Sequence, residues 1–236
     1  MANQQTILGE SRDAFFNRVR TSLERSDDTT QTLPPEEDAP VVDESLVRLA
    51  APDDDLAQRF TQGATAVGMK LTTTAGPDFW TVLKTILTKH QAKKVVLNAD
   101  ELGKDFEIKG MLRGMGIDVF EPAGEANFDG QYDAQCGITN VAAALAETGT
   151  LVIESNPTQS RGSSLVPETH IALVKQSDIL PDMIDYLARF KNTPSADQPS
   201  SKCFITGPSK TADIEGVLIT GVHGPAAVEI ILIKDI

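Results

Sequence analysis

Residues 207–225, GPSKTADIEGVLITGVHGP, hold the densest set of groups able to do chemistry in this chain. Apolar runs on either side, 203–206 and 226–233, predict strands. Gly207 and Pro208 break the first strand, and Ser209, Thr211 and Asp213 are residue types favoured at caps and turns. A strand, a glycine turn and a hydroxyl-rich segment together leave backbone N–H groups facing outward, which suits an anion. Gly221, His223 and Gly224 form a second loop, in which the imidazole has little neighbouring bulk to bury it. Two readings stand for this stretch: one wall of a ligand pocket, or two ordinary strand-end turns.

Two further stretches carry reactive side chains. Glu147-Thr148-Gly149-Thr150 is expected to end a helix over 140–147 and to begin a strand over 150–153. A glycine just past a helix is an ordinary C-cap. The functional alternative puts Glu147 beside a ligand edge of the sheet, although it precedes its strand, whereas open α/β sheets bind at the strands' carboxyl ends. Residues 155–170, SNPTQSRGSSLVPETH, read as a long loop between strands, and such loops in compact domains are commonly functional or mobile. Arg161 is its only cation, and a guanidinium among hydroxyls and glycine suits paired hydrogen bonds to carboxylate or phosphate. A solvated surface arginine is the plainer reading. His170, expected just before a strand, is either structural or functional.

The elements that must position these groups alternate along the chain. Residues 11–25 predict a short amphipathic helix, with Ala14, Phe15, Val19 and Leu23 at helical spacing. Residues 26–45 are rich in Pro, Asp, Glu and Thr and are expected to form a disordered acidic linker. The globular domain is expected over 46–236. Its predicted order is a helix over 53–66, a strand over 69–74, a helix over 79–90 and a buried strand over 94–98. A helix over 105–114 and strands over 117–120 and 132–138 follow. Beyond the segments already described come a strand over 171–174, an amphipathic helix over 178–190 with Ile179, Met183, Ile184 and Leu187 inward, and a polar loop over 193–201. Short β-branched runs alternating with helices indicate an α/β domain with a largely parallel sheet.

Composition narrows the function classes. The chain has 236 residues, 40% hydrophobic and 23% charged, in the range of globular proteins. Residues 26–55 hold ten acids and one base, so −9 of the formal −13 is local. No basic patch offsets it, and nucleic-acid binding is not expected. No apolar run reaches the roughly 20 residues needed to cross a bilayer, and the N-terminus lacks a basic start and an apolar core, so a cytoplasmic protein is expected. Phosphate loops, dinucleotide fingerprints, zinc-protease helices, CxxC pairs and nucleophile elbows are all missing. His90, His170 and His223 lack metal-ligand spacing. Two cysteines, Cys136 and Cys203, cannot supply the four thiolates of an iron–sulfur cluster, so any such cluster is expected in a partner.

Taken together, residues 146–151, Leu165-Val166-Pro167 with His170, 207–215 and 221–225 resemble the LUD domain, the family of lactate utilization protein C. The match runs in order over about residues 130–233. The resemblance implies a three-layer α/β/α sandwich with a mostly parallel sheet, similar to the NagB/RpiA/CoA-transferase-like group. It also implies one component of a bacterial system oxidising L-lactate to pyruvate, with iron–sulfur clusters in the other components and none bound by this chain alone. Two roles follow. In the first the chain is a subunit that binds those partners or a small anion. In the second it is an enzyme in its own right, acting on a small carboxylate, CoA ester or phosphate. There Glu147 would be nucleophile or base and His223 a general acid, with Arg161 and Lys210 as anion anchors. Thr148, His170, Gly207, Ser209, Thr211, Asp213 and Gly224 complete the candidate ligand-binding set. The enzyme reading requires Glu147, Arg161 and His223 to converge on one cavity.

Overall fold

A computed structural model describes residues 11–23, 43, 47–50, 53–122, 129–156, 159–212 and 217–234. Apart from Asp43, the expected linker over 26–45 lies outside them. The chain divides into two compact units, Met1–Glu44 and Ser45–Ile236. The first contains α1 (Arg12–Ser22), capped where the Ser11 hydroxyl accepts from the Ala14 N–H.

In the second unit Asp55 caps α2 (Leu56–Ala66), which leads through Gly68 into β1 (Lys70–Ala75). Next come α3 (Phe79–Lys89), β2 (Lys94–Asn98), α4 (Asp100–Asp105), α5 (Ile108–Gly114) and β3 (Asp118–Phe120). The chain continues with α6 (Asp129–Tyr132), β4 (Cys136–Asn140), β5 (Ala143–Leu145), β6 (Thr150–Ser155), α7 (Gly162–Leu165) and β7 (Thr169–Lys175). It closes with β8 (Ile179–Leu180), α8 (Met183–Ala188), β9 (Ser201–Ile205), β10 (Lys210–Thr211), β11 (Ile219–Thr220) and β12 (Ala227–Lys234).

Six strands form a central sheet in the order β1-β12-β7-β4-β2-β3, every neighbouring pair parallel. Strands buried on both faces read as continuous apolar runs, as KVVLN and EIILI do. One face packs Val95, Leu97, Ile138, Leu173 and Ile231 against Phe79 and Leu83 of α3 and Leu112 of α5. The other packs Ala172, Val174, Ile230 and Leu232 against Phe60 of α2 and Leu151 of a second sheet. That sheet has the order β8-β5-β6-β9, so one outer layer of the sandwich is part helix and part sheet. Among the described residues no helix is long and apolar enough to cross a membrane.

Several elements differ from expectation. Residues 140–147 are not a helix: β4 ends at Asn140, and β5 then pairs antiparallel with β6. Ala143 and Leu145 face Tyr186, while Ala144 and Ala146 face the Phe60 core. A thin alanine strand fits between two packed layers, and that tertiary demand overrides alanine's helix propensity. The helix expected over 105–114 starts only at Ile108 as α5; a separate helix, α4, ends at Asp105, and Glu107 at φ 50° divides the two. Tyr132 ends α6, and the strand starts only at Cys136. Within 178–190, Ile179 is in β8 and the helix starts at Met183. Met183 and Leu187 are exposed, and Tyr186 turns inward.

Candidate functional site

Two of the three stretches singled out by sequence, 207–225 and the turn at 147–150, gather at the amino edge of the parallel sheet. Residues 207–211 follow β9, and residues 221–225 precede β12. They are tied together directly: the Ser209 N–H donates to the Pro225 carbonyl (2.9 Å) and the Gly221 N–H to the Ser209 carbonyl (2.9 Å). Lys210 and Thr211 pair with Thr220 and Ile219 as a two-stranded ribbon. The Ala226 N–H donates to the Glu168 carbonyl (2.8 Å), joining this ribbon to the loop that opens β7. Gly224 lies against Ser209 and the Leu165 carbonyl, and His223 is exposed. Asp213 falls outside the described residues.

The Glu147 turn borders the same rim through backbone packing. Thr148 Oγ1 joins Thr150 Oγ1 (2.6 Å), which joins Thr206 Oγ1 (2.7 Å). Gly207 has φ 93°, and a Cβ there would sit 2.7 Å from the Val67 carbonyl oxygen, so only glycine lets this turn touch the end of α2. Lys210 Nζ donates to that same Val67 carbonyl (3.3 Å), capping a carbonyl at the helix's C-terminal end. The cation expected to anchor an anion is therefore engaged in a structural contact.

Arg161 and His170 stand apart from this rim. Glu147 precedes β6 and Arg161 follows it, and a six-residue strand spans on the order of 17 Å. Arg161 leads into α7, whose neighbouring Ser160 carbonyl accepts from Asn98 Nδ2 at the opposite, carboxyl edge of the sheet. No hydrogen bond or ion pair joins Glu147, Arg161 and His223 among the described residues, so the convergence required by the enzyme reading is not met. His170 lies inside β7, not ahead of it, and is fully buried. Its Nε2 meets Thr139 Oγ1 (2.9 Å), its Nδ1 has no partner among the described residues, and burial pushes its pKa down to about 4. It is a neutral core histidine.

Two groupings escaped sequence reasoning. At the amino edge, Glu229 is buried and accepts from Lys89 Nζ (2.6 Å) and from His90 Nε2 (2.9 Å). A carboxylate accepts from the Nε2 side of the ring, and Nδ1 meets the Thr169 hydroxyl (3.0 Å). Both ring nitrogens are engaged, which makes His90 a clamp between α3, β7 and β12. The Glu229 carboxylate raises the pKa of Lys89. Glu229→Gln is expected to lower stability by about 1–2 kcal/mol in urea unfolding, because the amide replaces a charge-assisted bond with a neutral one. These residues lie about 140 positions apart in sequence, and no local signal links them.

At the carboxyl edge, β2 leads outward to β3 while β4 resumes on its other side, which makes β2 and β4 the topological switch point. Two clefts open there, of about 330 and 270 Å³, and Asp100 lines both. Asn98 lines one, while Asn140, Glu154 and Gln159 line the other. Asn140 Oδ1 is buried without a partner among the described residues. Amides and carboxylates at such a crevice are able to hydrogen-bond a small polar molecule. The signal in the sequence was an asparagine closing each of two apolar runs, VVLN and CGITN.

The thiols are poorly suited to metal chemistry. Cys136 is buried in β4, where burial pushes its pKa up to about 12, and Cys203, in β9 of the other sheet, is also raised by burial. Among the described residues no group of three or more His, Cys, Asp or Glu could hold a metal ion.

A parallel six-stranded sheet, flanked on one side by helices and on the other by α2 and a small second sheet, defines an α/β sandwich. Its fold is shared with the crystal structure of a DUF162 family protein from Deinococcus radiodurans (TM-score 0.57, 20% identity, 76% of this chain and 96% of that one). The LUD domain model matches residues 57–233, and the chain belongs to that family. It is 30% identical over 226 residues to the lactate utilization protein C of Anoxybacillus flavithermus (strain DSM 21510 / WK1), covering 94% of this chain and 99% of that protein. The namesake from Bacillus subtilis (strain 168) is 30% identical over 235 residues, covering 96% and 97%.

Proposed function

We propose that this protein is a component of a bacterial L-lactate utilization system that oxidises L-lactate to pyruvate. In this reading it is a subunit that binds iron–sulfur partner proteins or a small anionic ligand and carries no cluster itself. One observation carries the proposal: end-to-end similarity to proteins named lactate utilization protein C, reaching 99% of one relative's length. The buried thiol of Cys136 and the half-buried thiol of Cys203, both raised in pKa by burial, favour clusters held elsewhere. The rim geometry favours a subunit over a stand-alone catalyst, since Glu147 and Arg161 flank opposite ends of β6 and Lys210 is engaged with the Val67 carbonyl. Affinity purification of the tagged chain from lactate-grown cells tests this reading. Stoichiometric recovery of iron–sulfur proteins is expected. Recovery of the chain alone, together with L-lactate oxidation by the purified chain, would replace the subunit reading with the enzyme one.

A further inference from the structure

The cleft of about 330 Å³ at the carboxyl edge of the central sheet holds a hydrogen-bond acceptor that the fold leaves unused. Asn98, the last residue of β2, is only 6% exposed and lines this cleft. The orientation of its amide is fixed by chemistry. The Ser160 carbonyl only accepts, so the atom 3.3 Å from it is the donor Nδ2, which also reaches Ser163 Oγ at 3.2 Å. With Nδ2 held against the α7 segment, Oδ1 is turned away from it, and no group among the described residues donates to it. An acceptor this enclosed is costly to leave unpaired, and a molecule in the cleft is placed to supply the donor.

The charges around it are balanced, two lysines against two carboxylates, and mostly committed. Lys109 pairs with Glu121, and Asp100 accepts from Gln159 Nε2 at 3.2 Å. Lys104 is exposed at the cleft and forms no ion pair among the described residues. Leu97 and Pro122 add apolar surface. The lining therefore offers a recessed acceptor, one uncommitted cation and an apolar wall for a short carbon skeleton.

Within the role of a subunit that binds a small anion, on which this rests, we propose that the cleft takes a small hydroxy monocarboxylate. Its carboxylate meets Lys104 Nζ, and its hydroxyl donates to Asn98 Oδ1. Further negative charge on the ligand would meet Asp100 and Glu121 uncompensated, which disfavours more highly charged anions. An oxo acid of the same skeleton fits less well, because a ketone oxygen only accepts and would face Oδ1 with no hydrogen between them. This cleft is distinct from the motif loops at the amino edge, where Lys210 is already engaged.

Two-dimensional amide NMR of the isotope-labelled full chain, titrated with L-lactate, pyruvate and propylene glycol, tests it. L-lactate is expected to shift amides within 97–104 and at 109. It should bind at least about tenfold more tightly than pyruvate, which lacks the donor, or the glycol, which lacks the carboxylate. Lys104→Glu, at an exposed position, should weaken L-lactate binding at least about tenfold with a melting curve close to the parent's. Asn98→Leu should bring L-lactate and pyruvate to similar affinity; were it to misfold, the parent's preference and Lys104→Glu still decide. No binding of L-lactate, shifts confined to 207–225, equal affinity for pyruvate or the glycol, or unchanged affinity in Lys104→Glu would each overturn the proposal. Recovery of iron–sulfur partners by a chain that does not bind L-lactate would keep the subunit role and remove this site. Binding at this cleft by a chain that recovers no partners would do the reverse.

Discussion

Gly149→Ala is expected to lower the stability of the protein by about 3–5 kcal/mol, read from urea unfolding. Gly149 sits at φ 66° in the turn between β5 and β6, in the left-handed region that side-chain-bearing residues avoid. A Cβ there would also lie 2.1 Å from the Ala64 nitrogen and 2.3 Å from the Gly63 carbonyl carbon, both in the backbone of α2. Backbone cannot swing aside as a flexible side chain would, so the hairpin would have to lift from the helix. The second sheet would then lose part of its packing against Phe60 and Ala64. A loss below about 1 kcal/mol would show that the turn relaxes freely and that this contact does not hold the layers together.

His170 is expected to make the protein acid-labile. The unfolded ring takes up a proton near pH 6.5, whereas the buried ring does so only near 4. Between those values the unfolded state binds more protons, so stability rises with pH there and falls as pH drops from 6.5 toward 4. The loss across that window is about 3 kcal/mol for this one group. His170→Gln keeps a polar partner for Thr139 without a titrating ring. Its unfolding free energy, measured from pH 7 to 4, should show a slope reduced by about that amount. An unchanged slope would place the responsible proton elsewhere.

Sequence made the sheet legible because its strands are short, β-branched and separated by helices. KVVLN over 94–98 is β2, and the helix expected over 79–90 is α3 to within one residue. The alanine segment misled because alanine favours helices locally, while its small volume is what a strand squeezed between two layers requires. Amphipathic spacing over 178–190 likewise misplaced the inward face: the buried ring is Tyr186, whose hydroxyl is satisfied by Glu154, 2.7 Å away. Motif positions proved easier to find than their roles. Gly149 and Gly207 stand where backbones touch, and Lys210 caps a helix, so part of the motif pattern records packing. The clamp of Glu229 on Lys89 and His90, and the asparagines at the β2–β4 switch point, depend on strand order, which local patterns do not encode.

Deleting the gene and supplying L-lactate as the sole carbon source tests the central assignment most directly. The deletion strain should fail to grow on L-lactate, should grow normally on pyruvate, and should recover when the intact gene is returned. Unimpaired growth on L-lactate, in a genome with no second LUD-domain gene to compensate, would contradict it.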